Sequence, residues 1–367
     1  MNTARSLGRF VMIGFDGVTV PPEVRSLARE FDIGGYILFS RNVVAPAQVA
    51  ELVHDLRQIS RDRTPWIGVD QEGGRVARLR SPFTEWPPMA VLGRSADEAL
   101  ARRFGSALAR ELAAVGISID FAPVLDVNTN PTNPVIGDRS LGDSPDTVAR
   151  LGAAVLRELQ ALGVAACGKH FPGHGDTSVD SHLDLPLVEH PPERLAAVEY
   201  VPFRAAIEAG VASVMVGHLL VPALDEDLPA PLSKATVGGE LRGKFGFDGL
   251  VVTDDLCMKG CATRYTVEKA TVAAVAAGCD LVLICEPDHD RQAAALEALV
   301  RAVESGEIGF GTIDDGLVRH RMAAERFMAA PVFPLNPAWR PPSEAALRTV
   351  VGCEEHLAVA EAIAAWR

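Results

Sequence analysis

The chain has 367 residues, 48% of them hydrophobic and 23% charged, and a formal net charge of −13. That length accommodates two ordinary domains or one large α/β barrel of about 250 residues with extensions. The composition suits a globular core, while the acidic balance excludes the concentrated positive charge that a nucleic-acid or anionic-membrane partner needs.

Short apolar runs rich in Val and Ile recur along the chain and alternate with stretches of helical patterning. Strands are predicted at 11–16, 35–40, 66–70, 117–126, 164–170, 212–218, 249–254 and 279–286. Helices are predicted between and after them at 22–31, 46–61, 96–115, 145–162, 193–209, 234–245, 266–277 and 289–305. Near-continuous apolar runs are those of strands buried on both faces, and eight strand–helix alternations point to a (β/α)8 TIM barrel. A doubly wound sheet lacks its usual signature, since no G-x-G-x-x-G follows the first strand. Residues 314–328 add another helix, the Pro-rich stretch 329–341 reads as a strap, and 342–367 as a terminal helix. The expected organisation is therefore a catalytic barrel over 1–328 and a helical C-terminal extension over 329–367 packed on it.

The six cysteines are Cys167, Cys257, Cys261, Cys279, Cys285 and Cys353. Three of them lie inside apolar strand runs, and the Cys257–Cys261 pair has no second pair at zinc-ligand spacing. Reduced thiols in a cytosol are expected. The N-terminal MNTARSLGRFVMIGFDG has no long apolar h-region, and no stretch approaches the ~20 apolar residues of a membrane span. A cytoplasmic location is the expectation.

Most of the predicted strands end in a polar residue: Asp16, Ser40, Asp70, Asp126, His170, His218, Asp254 and Glu286. Barrel enzymes build their sites at that rim. In 68–79, GVDQEGGRVARL, Asp70 has the geometry to accept two sugar hydroxyls, and the plainer alternative is an ion pair with Arg78. In 126–142, Arg139 is a guanidinium fork for a hydroxyl or amide carbonyl, unless it pairs with Asp138 or Asp143. The stretch 168–186, GKHFPGHGDTSVDSHLDLP, crowds Lys169, His170, His174, Asp176, Asp180 and His182 together. A metal site, a polar structural loop and an Asp180–His182 proton-transfer pair are its three readings; imidazole titrates near neutrality and serves first as acid and then as base. In 247–260, FDGLVVTDDLCMKG, adjacent strand residues face opposite sides, so one of Asp254 and Asp255 faces the barrel mouth and the other holds the following turn. Strand geometry does not choose between them.

The motifs GVDQEGGRV (68–76), NPVIGDRS (133–140), GKHFPGHGDTSVDSH (168–182) and GLVVTDDLCMKG (249–260) together resemble glycoside hydrolase family 3, in its single-barrel bacterial β-N-acetylglucosaminidase branch. The resemblance implies a nucleophile at Asp254, an acid/base at His182 assisted by Asp180, and sugar-binding roles for Asp70, Arg78, Arg139, Lys169, His170 and His218. It also implies a retaining exo-β-N-acetylglucosaminidase that recycles cell-wall fragments in the cytoplasm. No metal or other cofactor is called for, and the only expected partner is a small carbohydrate, met by a monomer. Cys257 departs from the Ser or Asn common in D-D-L-x-M, and the 329–367 tail exceeds the minimal barrel. Phosphorolysis at the same Asp/His site, a metal-dependent barrel hydrolase and a non-catalytic sugar-binding barrel are the competing expectations.

Overall fold

The computed structural model describes residues 3–60, 63–181 and 184–367. Eight parallel strands close into a barrel: β1 (Val11–Ile13), β2 (Gly35–Leu38), β3 (Trp66–Val69), β4 (Ile119–Asp120), β5 (Ala165–Phe171), β6 (Ser213–Val216), β7 (Leu250–Asp255) and β8 (Leu281–Ile284). Each pairs with its chain neighbours, and β1 closes the ring on β8 through Val11 opposite Val282 and Ile13 opposite Ile284. Helices follow the strands: α1 (Pro22–Glu30), α2 (Pro46–Gln58), α3 (Glu98–Ala114), α4 (Pro145–Ala161), α5 (Tyr200–Glu208), α6 (Ala235–Lys244), α7 (Val267–Ala277) and α8 (His289–Glu304).

The closed ring divides the apolar residues into two sets. Met12, Ile37, Trp66, Phe121, Cys167, Met215, Val252 and Leu283 belong to one cluster that fills the barrel. Their strand neighbours, such as Val11, Ile13, Leu38, Val214 and Val251, join the larger cluster under the helices. Alternation along each strand produces that division. Glycines make room for the large interior side chains: a Cβ at Gly35 would lie 2.4 Å from Met12 Cε, and one at Gly68 would lie 2.9 Å from the Phe121 ring.

Several predicted elements are shorter than their apolar runs. The run 117–126 forms ladder only at Ile119–Asp120, because Pro123 has no N–H to donate; pairing resumes as the single bridge Val124–Lys169. The predicted 193–209 helix is two helices, Pro192–Ala197 and Tyr200–Glu208, and 234–245 is a π-helix in which Phe245 N–H donates to Glu240 O at 2.9 Å. A long helix, α9 (Phe310–Phe327), crosses the N-terminal end of the barrel and seats Phe327 edge-on to Trp66. Leu335 of the following strap is fully buried and joins the interior cluster from below. The predicted terminal helix is instead α10 (Glu344–Arg348) and α11 (Glu354–Ala364), parted by a turn at Gly352, whose φ of 62° is a conformation glycine adopts without a Cβ penalty. His356 of α11 is bonded to Glu111 of α3 at 2.9 Å. All six cysteines are free thiols. Among the described residues no helix is long and apolar enough to cross a membrane.

Candidate active site

The carboxyl ends of β3 and β5 deliver an interlocked set of charges. Lys169 Nζ lies 2.8 Å from Asp70 Oδ1 and 2.7 Å from Glu72 Oε1. Glu72 also takes Arg139 in a two-pronged grip, from Nη2 to Oε1 at 2.7 Å and from Nε to Oε2 at 2.8 Å. Arg78 Nη2 donates to Asp70 Oδ2 at 3.1 Å. For Asp70 the plainer alternative of an ion pair with Arg78 is what forms, and Lys169 takes its other oxygen, so both oxygens are paired. Arg139, likewise, pairs with neither Asp138 nor Asp143 but with Glu72, because the ribbon Gln71–Gly73 folds back against Val76–Ala77 and carries Glu72 under the rim. Burial pushes both carboxyls up, but the neighbouring cations outweigh it. Lys169 and Arg78 hold Asp70 well below the usual carboxylate range, and Arg139 and Lys169 hold Glu72 at about 2. Burial opposes the charged form of Lys169 too, yet Asp70 and Glu72 hold it firmly protonated. The side chains of Glu72 and Lys169 are 1% and 2% exposed, whereas Asp70 and Arg78 retain 16% and 28%. Asp70 and Arg78 therefore present the open polar edge, on a foundation of buried charge.

A second centre is Asp126. Its Oδ2 lies 2.7 Å from His170 Nδ1, and its Oδ1 accepts the backbone N–H of His174 at 2.7 Å. Burial raises the Asp126 carboxyl, and His170 and His174 more than offset it, so the group is held ionised. His170 Nε2 in turn lies 3.4 Å from Arg139 Nη2, which joins the two centres. The β5–α5 loop is anchored on the loop after β4. Asn133 donates to His174 O at 2.8 Å, and Gly175 sits so close that a Cβ there would lie 1.8 Å from Val127 O. Both His174 ring nitrogens are engaged, with Thr177 Oγ1 at 2.6 Å and Ser181 Oγ at 3.1 Å. Asp176 pairs with His190 at 2.6 Å. Among the described residues no three His, Cys, Asp or Glu side chains gather around a metal-sized space.

The third wall is the end of β7. Asp255 turns into the protein, where Oδ1 accepts the N–H groups of Cys257 at 3.1 Å and Cys285 at 3.0 Å. Burial, the largest influence, raises its carboxyl above the usual range. Asp254, half-buried on the opposite face of the strand, accepts the Asp255 N–H at 2.9 Å and acts electrostatically on His174. His218 is fully buried beneath this turn, with Nε2 donating to Asp255 O at 2.8 Å. The β5–α5 loop docks here as well: Gly260 N–H donates to Ser181 O at 3.0 Å. Asp180, half-buried, immediately precedes that contact. His182 lies outside the described residues.

Asp70, Arg78, Arg139, Lys169 and His170 thus form one connected network. Asp254 and Asp180 stand on the elements that border it, and His218 supports the β7 turn from behind. Glu72 and Asp126 were missed as site residues. Asp126 ends a predicted strand, and Glu72 follows Asp70 by two positions ahead of a Gly-Gly turn; those placements were the available signals.

Charged groups gathered at the carboxyl ends of eight parallel strands are the architecture of a barrel enzyme. The chain belongs to glycoside hydrolase family 3: the family's N-terminal-domain model matches residues 6–321, and the protein is a glycoside hydrolase. It is 44% identical over 259 residues to a β-hexosaminidase of Thiobacillus denitrificans, covering 69% of this chain and 71% of that protein. A β-hexosaminidase of Nitrosomonas eutropha is 36% identical over 332 residues, covering 87% of this chain and 94% of that one. Among solved structures, a family 3 β-N-acetylglucosaminidase from a Paenibacillus species superposes with a TM-score of 0.92 at 42% identity, over 100% of this chain and 69% of that one. NagZ from Neisseria gonorrhoeae, solved in complex with N-trifluoroacetyl-D-glucosamine, superposes with a TM-score of 0.78 at 31% identity, over 97% of each chain.

Proposed function

We propose that this glycoside hydrolase is a retaining exo-β-N-acetylglucosaminidase that acts by double displacement. The observation that carries the reading is the opposed pair on β7. Asp255 is committed to two backbone N–H groups, while Asp254 stands on the other face, on the side of the His174 loop. Asp254 attacks the anomeric carbon and forms a glycosyl ester, which water then hydrolyses with retention of configuration. His182, with Asp180 two residues before it, protonates the leaving oxygen and then activates the water. Asp70, Arg78, Arg139, Lys169 and His170 hold the sugar through the paired network, and His218 braces the turn that carries Asp254. The β-hexosaminidase relatives support the substrate class.

The finer reading is a cytoplasmic monomer of the cell-wall recycling type, with N-acetylglucosamine β-linked to a muramyl fragment as substrate. Residues 1–328 are its catalytic barrel and 329–367 an extension that closes the base. No cofactor is needed for the steps above.

The test is a 5-fluoro N-acetylglucosaminyl fluoride, which keeps the 2-acetamido group, incubated with the enzyme and followed by peptide mass spectrometry. The label is expected on Asp254, and a label on any other residue overturns the assignment. Turnover of a chromogenic N-acetylglucosaminide over the glucoside, at a rate indifferent to phosphate, is expected alongside; release of a sugar 1-phosphate would identify phosphorolysis instead.

A further inference from the structure

At the opposite end of the barrel from these residues lies a cavity of about 590 Å³. It is bounded by the approach to β1, the end of α2, the entry to β3, α9 and the strap. Its charged lining is Arg9, Arg57, Arg63, Arg321, Arg340 and Glu325, a concentration of cations on a chain whose net charge is −13.

Arg9 faces Asp32 at 3.8 Å, but among the described residues the other four arginines have no carboxylate within ion-pair distance. Arg57 is held over the face of Trp339, 4.6 Å from the ring centre, and donates from Nη2 to Gly116 O at 3.2 Å. Its Nε and Nη1 are buried without a hydrogen-bond partner. Among the described residues Arg340 donates only to carbonyls of its own segment, Pro337 O and Trp339 O, each at 2.8 Å. The strap therefore fixes a second guanidinium beside the first. Burial, the larger influence, and the nearby charge of Arg340 lower the Arg57 pKa to about 10. A neighbouring cavity shares Arg9, Arg63 and Arg321 and adds Arg5, but it also adds Asp32 and Asp314, so the excess of arginines over carboxylates is larger in the first.

Guanidinium forks match the oxygens of phosphate, and a cavity of several hundred Å³ is the size of a small-molecule site. We infer that this basal cavity binds a small phosphate-bearing anion, at a site separate from the glycosidase centre. The anion's oxygens bridge the guanidinium groups of the strap, of α9 and of the entry to β3, and its charge relieves their mutual repulsion.

The experiment is titration calorimetry of the full chain with inorganic pyrophosphate at low ionic strength. Saturable binding with a Kd on the order of 0.1 mM is expected, weakening as salt is added. The variant Arg321→Glu/Arg340→Glu should weaken it by roughly tenfold or more while glycosidase turnover persists, since these residues lie far from the catalytic rim. Arg63→Glu, on an exposed side chain, is the second variant should the double substitution disturb folding. Asp254→Asn and His170→Ala should bind pyrophosphate as the unaltered chain does. Absence of saturable binding overturns the inference. So does binding that survives the arginine substitutions, or that is lost with Asp254 or His170, because the anion then sits elsewhere.

Discussion

Glu72 grips Arg139 through two parallel hydrogen bonds of 2.7 and 2.8 Å, and the two side chains are 1% and 9% exposed. The same carboxylate holds Lys169 at 2.7 Å, so one buried anion aims two of the cations assigned to sugar binding. Truncating one partner of such a pair leaves the others buried and uncompensated. Glu72→Gln keeps the shape but turns an amide N–H₂ toward a cation. The expected result is a fall in kcat/KM of at least about 30-fold, equivalent to ~2 kcal/mol, expressed largely in KM. Glu72→Asp should recover part of it. Unchanged steady-state kinetics in Glu72→Gln would show that Arg139 and Lys169 do not depend on this carboxylate.

The two adjacent aspartates of β7 should separate cleanly under substitution. Asp254→Ala, in the proposed nucleophile, is expected to reduce kcat by about 10³-fold or more with little loss of stability. Asp255→Ala removes the acceptor for the Cys257 and Cys285 N–H groups, and should cost about 1–3 kcal/mol of stability with a smaller kinetic penalty. Urea unfolding paired with turnover of a chromogenic N-acetylglucosaminide measures both. Equal kinetic losses in the two variants would remove the distinction between them.

The barrel was legible because strands buried on both faces must be apolar throughout: six of the eight barrel strands fall within predicted runs, and β5 and β7 each extend one residue beyond theirs. Of the crowded segment 168–182, the strand-end pair Lys169 and His170 joins the buried network with Glu72 and Asp126. Partners brought from far along the chain were less legible. Glu72 reads as one more surface acid until the barrel closes and brings Arg139 and Lys169, 67 and 97 residues later, against it. The same holds for Asp70, whose cations come from a nearby ribbon and from a strand 99 residues on. Local spacing sorted Asp254 from Asp255 only into opposite faces; the N–H groups that claim Asp255 include that of Cys285, the residue after β8. The tail resisted reading for a similar reason, since Leu335 is apolar in a Pro-rich strap and acquires meaning only as a plug under Trp66 and Phe327.

Stability should decline as pH falls from about 6.5 to about 4. His174 and His320 are each 1% exposed, and burial, the largest influence on both, lowers each imidazole to about 4. An unfolded histidine titrates near 6.5, so below that pH the unfolded chain takes up protons that the native chain refuses. The stabilisation is complete above 6.5 and is lost progressively as the pH approaches 4, by up to about 3 kcal/mol per group. Glu72 adds a further loss at lower pH, from about 4.5 toward 2. Urea midpoints taken from pH 7.5 to 4.5 should fall, and His320→Gln should flatten the slope. A flat profile across that range would mean that neither imidazole is held neutral.

Gly175 offers the sharpest test of the loop's docking. Its N–Cα–C edge packs so tightly on the loop after β4 that a single methyl would sit 1.8 Å from Val127 O and 2.4 Å from its carbonyl carbon. Both atoms are backbone, so the contact is relieved only by moving the loop. That loop carries His174, which is bonded to Ser181, and Ser181 O is in turn the acceptor for Gly260 N–H beside β7. Gly175→Ala should therefore shift the segment that runs on to Asp180 and Ser181 without altering Asp254 or the proposed proton-transfer pair. A displacement of about 1 Å at a catalytic group costs on the order of 10²-fold in rate. The expected outcome is a drop of that size in kcat with the unfolding midpoint lowered only modestly, because the barrel core lies elsewhere. Substrates with an activated leaving group need less proton donation, so their glycosylation step should suffer less than that of unactivated ones. Equal losses on both kinds of substrate would place the damage at Asp254 or in the network assigned to sugar binding rather than in the loop proposed to donate the proton.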